Sequence, residues 1–310
     1  MTEQASPNRT PPARDVTPAG ERGRRTGRRR LRVAIALIAT FIYCQLFLVG
    51  QSKYWPQTLQ TWMNGSRNAT NRLIHDLLLK SGVLHPSPKL GQGLFLVLVA
   101  IVVPVLAARL IMRTGFRGLG CRLPNRYGWR WLIAGYVIAA PLLVFMAMGS
   151  GMAGQYLPDA RRVGLFAFLS YYLVNMTAEH FLLHGFVLGA FRRDLRWPAR
   201  RGPSPSDPSA PWWRRVLLFL GLSRGTRASA QTRLTAWFQL APDCGLAIVG
   251  SGVLFALVHV GKDWREAVLS VPGGVALAIL AYRSDSWYIP FLLHLATAGT
   301  TFVLMLCWQP

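Results

Sequence analysis

The chain has 310 residues, of which 52% are hydrophobic and only 15% are charged. A soluble domain carries about 25% charged residues, so this composition excludes a protein whose whole surface faces water. The 35 Lys and Arg residues against 12 Asp and Glu residues give a net charge of +23. A nucleic-acid binder can hold that charge, but it does not combine it with long apolar segments. The composition therefore predicts an integral membrane protein whose partner is the lipid bilayer and not nucleic acid.

The apolar segments, taken in chain order, predict an all-α, polytopic membrane helical bundle. Residues 1–32 are polar and Arg-rich, which is typical of a disordered N-terminus. Segments long enough to cross a bilayer then follow at 33–50, 93–112, 131–152, 163–191, 242–260, 266–282 and 286–307. We thus expect about seven transmembrane helices.

The loops between these segments define three predicted regions after the N-terminus. Residues 33–162 hold the N-terminal transmembrane helices and an outer amphipathic loop at 68–84. Residues 163–310 hold a helical core with a cytoplasmic insertion at 192–240, where arginines lie beside aromatic and apolar residues.

Arginine placement predicts the orientation of the bundle. Most basic residues lie before the first span, between the second and third spans, or in the 192–240 insertion. Basic loops stay in the cytoplasm, so we expect a cytoplasmic N-terminus. Arginine far outnumbers lysine, as in GC-rich genomes, and we expect a bacterial inner membrane. The scattered cysteines predict neither a disulfide framework nor a zinc ribbon.

Four histidines and one glutamate fall within the predicted spans, where each is costly unless it is paired or lines a cavity. Glu179, His180 and His184 lie in the fourth span, and His180 and His184 are one helical turn apart on one face. His259 lies late in the fifth span and His294 in the seventh. A single membrane histidine is commonly a helix–helix hydrogen bond. Five such groups in one bundle predict a functional site.

Three segments carry a resemblance to a known family: Glu179 to Gly185, Phe255 to His259, and Ser286 to His294. They resemble the CPBP family of intramembrane proteases, which includes CAAX prenyl protease 2 and bacteriocin-processing (Abi-like) relatives. That family has Glu-Glu-x-x-x-Arg, Phe-x-x-x-His and His-x-x-x-Asn on three helices. The resemblance covers roughly residues 163–307 and implies an endopeptidase that cleaves a membrane-associated or lipidated peptide.

The resemblance also implies residue roles, and the chain departs from the family at three positions. Glu179 would be the base that activates water, with His259 and His294 as the other catalytic residues. His180 stands for the second glutamate and His184 for the arginine, so both are supporting residues of an EHxxxH variant. Ala298 replaces the final asparagine, an oxyanion donor, and Thr297 and Thr300 are the candidates to supply the missing hydrogen bond.

Three other interpretations use the same residues. In a zinc-dependent protease, His180 and His184 would chelate the metal, His259 or His294 would complete the ligand set, and Glu179 would act as base. A metal-free protease needs no cofactor. A binding or immunity protein could keep the scaffold without proteolysis. A transporter could use the buried histidines as a proton relay, although the chain shows no inverted repeat.

Overall fold

A computed structural model describes residues 31–39, 96–148, 150–194, 240, 244–260 and 262–308, together with the single positions 69, 72, 76, 80 and 211. Within these ranges the chain forms helices and short loops and contains no strand. The prediction of an all-α membrane helical bundle is confirmed. The structure has α1 (Leu98–Ile111), a 3-10 helix (Phe116–Leu119), α2 (Arg126–Ala147), α3 (Ser150–Val163), α4 (Leu165–Asp194), α5 (Gly245–Leu257), α6 (Trp264–Ser284) and α7 (Tyr288–Trp308).

Three of these helices, α2, α6 and α7, are long and apolar enough to cross a membrane, and α1 and α5 are shorter apolar helices. Residues 31–39 are helical, so residues 31 and 32 belong to a helix and not to the predicted disordered segment. Residues 1–30 and most of the predicted insertion lie outside the described residues. Of the predicted amphipathic loop, the structure describes Ala69, Arg72, Asp76 and Lys80, all helical and exposed.

Local capping determines where α2 and α6 begin. The Asn125 side chain accepts a hydrogen bond of 2.9 Å from the Gly128 amide, so α2 begins five residues before the predicted span. Asp263 caps α6 in the same way through the Arg265 amide. The predicted third span is interrupted after Ala147, and residues 150–152 belong to α3.

The middle of α4 is the most buried part of the bundle. α4 consists of Leu165–His180, a π-helical segment Phe181–Val187, and Leu188–Asp194. All seven residues of the π segment are buried, so no face of this helix meets lipid there. The helices α5 and α6 pack closely against each other through Gly252 and Gly274.

The two ends of α6 lie on opposite sides of the bundle, because a helix of 21 residues that rises about 1.5 Å per residue separates its termini. Loops from other parts of the chain meet each of these ends. At one end, which we call the arginine end, Arg122 forms an ion pair of 2.9 Å with Asp285, and Asn125 Nδ2 donates to the Arg283 carbonyl at 2.8 Å. At the other, Tyr156 donates to Glu266 at 2.9 Å. The segments predicted to be cytoplasmic around 109–130 and 283 thus meet at the same end.

Candidate active site

The fourth predicted span brings Glu179, His180 and His184 into the centre of the bundle. Glu179 and His184 are 2% exposed, and His180 is fully buried. Residues four places apart on a helix lie one turn apart on the same face. The rings of His180 and His184 accordingly stack, with centroids 4.9 Å apart and planes 21° apart.

His294 of α7 joins this group from the opposite wall. His180 Nε2 lies 2.8 Å from His294 Nδ1, a hydrogen-bond distance. Glu179, His180 and His294 each offer one ligand atom, and these atoms lie within 4.8 Å of one another. This compact trio contains two of the three residues given catalytic roles by the resemblance. His184 and His259, which the zinc interpretation also uses, lie outside the trio.

Phe255 and His259 of the second motif form the third wall. Phe255 packs against the rings of His180 and His294 at centroid distances of 5.8 and 5.6 Å. The His259 ring is 6.2 Å from the His294 ring. His259 Nδ1 donates to the Phe255 carbonyl at 2.9 Å, since a carbonyl can only accept. In the neutral ring, Nε2 is therefore the acceptor.

A second carboxylate, which sequence reasoning missed, lies beside His259. Glu266 Oε1 is 3.6 Å from His259 Nε2 and accepts a 2.6 Å hydrogen bond from Lys262. Its Oε2 accepts from Tyr156, and burial followed by the Glu266 charge raises the pKa of Tyr156 well above its usual value. The sequence signal was hidden, because Asp263-x-x-Glu266 is also the pattern of a helix capping box.

The two threonines considered as replacements for the missing asparagine are both engaged. The Thr297 hydroxyl donates its only proton to the His294 carbonyl at 2.9 Å. Thr300 shares a 2.7 Å hydrogen bond with Tyr136, in which either hydroxyl can be the donor. The geometry therefore argues against Thr297 as an oxyanion donor. Thr300 could donate only if Tyr136 is the donor of their shared bond.

His184 differs from the other histidines in its hydrogen bonding. The backbone of Gly274 is close to its ring, but neither ring nitrogen makes a hydrogen bond of acceptable geometry with a described residue. An unsatisfied buried polar atom costs about 1–3 kcal/mol. Stacking on His180 therefore accounts for the orientation of the ring but not for a polar side chain at this buried position.

The fold and the central group together define a class: an integral membrane bundle with a carboxylate and imidazoles at its centre. Residues 161–300, just under half of the chain, match the Rce1-like family, described as type II CAAX prenyl endopeptidase Rce1-like. This match agrees with the resemblance drawn from the three motifs and, at the level of the family, supports a CAAX-type intramembrane peptidase. No curated protein and no solved structure matches the chain.

Proposed function

We propose that the protein is a metal-free intramembrane endopeptidase in which Glu179 activates water to cleave a membrane-associated or lipidated peptide. The observation that carries this proposal is the compact trio of Glu179, His180 and His294, in which Glu179 is 2% exposed. A carboxylate at such a depth is costly and is therefore a candidate functional group, and neutral imidazoles beside it can exchange protons with it.

In the proposed reaction, the Glu179 carboxylate takes one proton from a water molecule, whose oxygen attacks the peptide carbonyl carbon. The His294 ring donates a hydrogen bond to the oxygen that becomes negative. The carbon–nitrogen bond then breaks, and protonated Glu179 gives its proton to the leaving amine. The immediate products are a carboxylic acid and an amine, which ionise to a carboxylate and an ammonium group, so protons and electrons balance. His259 holds the water through Nε2.

His180 has a defined part in this scheme as a positioning residue. For neutral His294 to donate through Nε2, its Nδ1 must be bare and must accept the 2.8 Å hydrogen bond from His180. His180 then carries its proton on Nε2. An ionised glutamate, the residue that the family has here, could only accept at this place. A histidine at this place can thus support the tautomer of His294 that the oxyanion needs, which an ionised glutamate cannot.

The experiment compares peptide termini in membrane fractions from cells that express the wild type, Glu179→Gln or Asp159→Asn at equal levels. Asp159 is the matched control, because it pairs with Arg162 on the exposed part of α3. Termini found with the wild type and the control, and lost with Glu179→Gln, would identify the substrate and its cut. Identical termini in all three strains would contradict proteolysis and would favour a binding or immunity protein.

A zinc-dependent version is the second candidate, favoured by the same trio of potential ligand atoms within 4.8 Å. In that version Glu179, His180 and His294 would hold the metal, and zinc would supply Lewis-acid activation of water. The His180–His294 hydrogen bond counts against it, because zinc would have to replace that bond. Metal analysis of purified protein and activity after chelation decide between the two. Full activity at a zinc content far below one per chain supports the metal-free mechanism.

A further inference from the structure

A polar cluster lies beside His259 at the end of the bundle opposite the arginine end. Its members are Tyr156 of α3, Lys262 of the loop before α6, and Glu266 in the first turn of α6. The Lys262 and Glu266 side chains are 7% and 12% exposed. A buried ion pair adds little stability, because the desolvation of two charges offsets their attraction. The position of this pair beside the proposed active site therefore calls for another explanation.

Two donors fix the carboxylate of Glu266. Lys262 Nζ donates to Oε1 at 2.6 Å, and the Tyr156 hydroxyl donates to Oε2 at 2.9 Å. The tyrosine keeps its proton, because burial raises its pKa well above the usual value and the charges of Glu266 and Glu179 raise the pKa further. Both carboxylate oxygens thus act as acceptors. The carboxylate is held in one orientation, with Oε1 at 3.6 Å from His259 Nε2.

The contact between Glu266 and His259 joins two acceptors. His259 Nδ1 donates to the Phe255 carbonyl, so the neutral ring has no proton on Nε2. The distance of 3.6 Å between Nε2 and Glu266 Oε1 is too long for a direct hydrogen bond. Two acceptors at this distance repel each other unless a proton donor lies beside them. The pair therefore favours an O–H group at Nε2, such as that of a water molecule.

We propose that Glu266 is a positioning residue that acts through His259 and strengthens the hydrogen bond holding the attacking water. This inference rests on the proposed function, in which the water donates one O–H to Nε2 and gives its other proton to Glu179. A negative charge beside Nε2 polarises this nitrogen and makes it a stronger acceptor. The attacking oxygen loses electron density as it bonds to the carbonyl carbon, so its remaining O–H becomes a better donor. The contact with Nε2 thus strengthens in the transition state, and Glu266 itself exchanges no proton.

Lys262 confines the effect of this charge to His259. The carboxylate and the ammonium group form an ion pair of 2.6 Å without net charge, so their combined field falls off faster than that of Glu266 alone. In the proposed reaction the oxyanion forms beside His294, whose ring centroid is 6.2 Å from that of His259. The pair therefore acts on the acceptor nitrogen more strongly than on the oxyanion, whose formation a carboxylate without a counter-ion would oppose.

Steady-state kinetics separate this role from a structural one. Glu266→Gln keeps the volume of the side chain and removes its charge. With the peptide identified from the membrane termini, we expect kcat to fall about 10- to 100-fold, as the loss of one charged partner predicts. KM should stay the same, because Glu266 does not contact the peptide in this scheme. Asp159→Asn, which removes an exposed carboxylate of α3, is the matched control and should change neither constant.

Chemical rescue tests the charge directly. Glu266→Ala leaves Lys262 and Tyr156 as donors around a space that a small anion can enter. Sodium formate should raise the kcat of this variant about tenfold, the lower end of the loss expected for Glu266→Gln. Formamide has a similar size and no charge, so it should not restore activity.

The contact can also be measured without cleavage, in nanodiscs of phosphatidylcholine. Nitrogen NMR of protein labelled in its histidine rings reports the Nε2 signal of His259, which is assigned by its loss in His259→Gln. Glu266→Gln and Glu266→Ala should both shift this signal, and formate should return the signal of Glu266→Ala towards the wild-type position. Asp159→Asn should leave the signal in place.

An unchanged kcat in Glu266→Gln overturns the inference, and so does an equal response of Glu266→Ala to formate and formamide. A fall in kcat without a shift of the His259 signal also contradicts it, because Glu266 would then act on another group. These results leave the proposed function in place as long as Glu179→Gln abolishes the cellular termini. A shift of the His259 signal together with termini that do not depend on Glu179 would instead contradict the proposed proteolysis and leave the assignment of Glu266 to His259 intact.

Discussion

Restoring the amide that the third motif lacks should accelerate the enzyme. Ala298 lies one turn after His294 on α7 and is half-buried, so a side chain placed there is on the same face as His294. The Thr297 hydroxyl has already given its proton to the His294 carbonyl. An asparagine side chain in place of Ala298 would therefore add a hydrogen-bond donor where the oxyanion forms.

The magnitude follows from two opposing terms. Loss of one oxyanion donor costs about 10²–10³ in rate. Fixing the new side chain costs about 1 kcal/mol of conformational entropy, a factor of about five. We thus expect Ala298→Asn to raise the rate of peptide cleavage by about 20- to 200-fold. Initial rates with the peptide identified from the membrane termini provide the assay. Ala298→Leu, which adds volume without a donor, is the control and should not accelerate cleavage.

An unchanged or lower rate in a well-folded Ala298→Asn protein would refute this reasoning. It would mean that the oxyanion is held elsewhere, for example by Thr300 when Tyr136 donates in their shared hydrogen bond. A double variant with Tyr136→Phe separates the two cases. If Thr300 is the donor, Tyr136→Phe alone should change the rate, whereas Ala298→Asn should add nothing.

Three further changes test the packing and the cluster. Gly274→Ala should lower the free energy of unfolding by about 1–3 kcal/mol, because the new Cβ would lie 2.6 Å from the backbone oxygen of Gly252. Gly273→Ala is the control and should be neutral in the same denaturation assay, since a Cβ there would have no atom within 4 Å. Glu266→Gln should slow cleavage more than Tyr156→Phe does, because only the first change removes the negative charge beside His259. If Glu266→Gln abolished cleavage while Glu179→Gln kept it, Glu266 and not Glu179 would be the base. His184→Phe should stabilise the protein by about 1–3 kcal/mol, and a destabilised variant would contradict this.

The sequence predicted the helices better than their ends. Apolar segments of about 20 residues are detected by length and composition alone, because the bilayer imposes both. The start of α2 at Arg126 was missed because Tyr127 to Arg130 look too polar for a span. A side-chain cap at Asn125 determines that boundary, and such a cap acts over three residues that hydropathy does not resolve.

The site was predictable where one physical rule dominated. Ionisable side chains in apolar helices are costly, so Glu179 and the histidines of the spans stood out without any structure. The one-turn spacing of His180 and His184 also showed in the sequence, whereas the π-helical register of Phe181–Val187 has no comparable signal, since it depends on packing around seven buried residues. Glu266 stayed hidden because it lies at a helix start, where an acidic residue is expected for capping and for the helix dipole.

The exchange of a glutamate and an arginine for two histidines changes the electrostatics of the cluster. A buried ion pair must overcome the desolvation of both charges, whereas two neutral imidazoles carry no such cost. His180 uses this neutrality, because it can donate to His294 through Nε2 where an ionised carboxylate could not. His184 retains a smaller cost, two buried nitrogens without internal partners among the described residues.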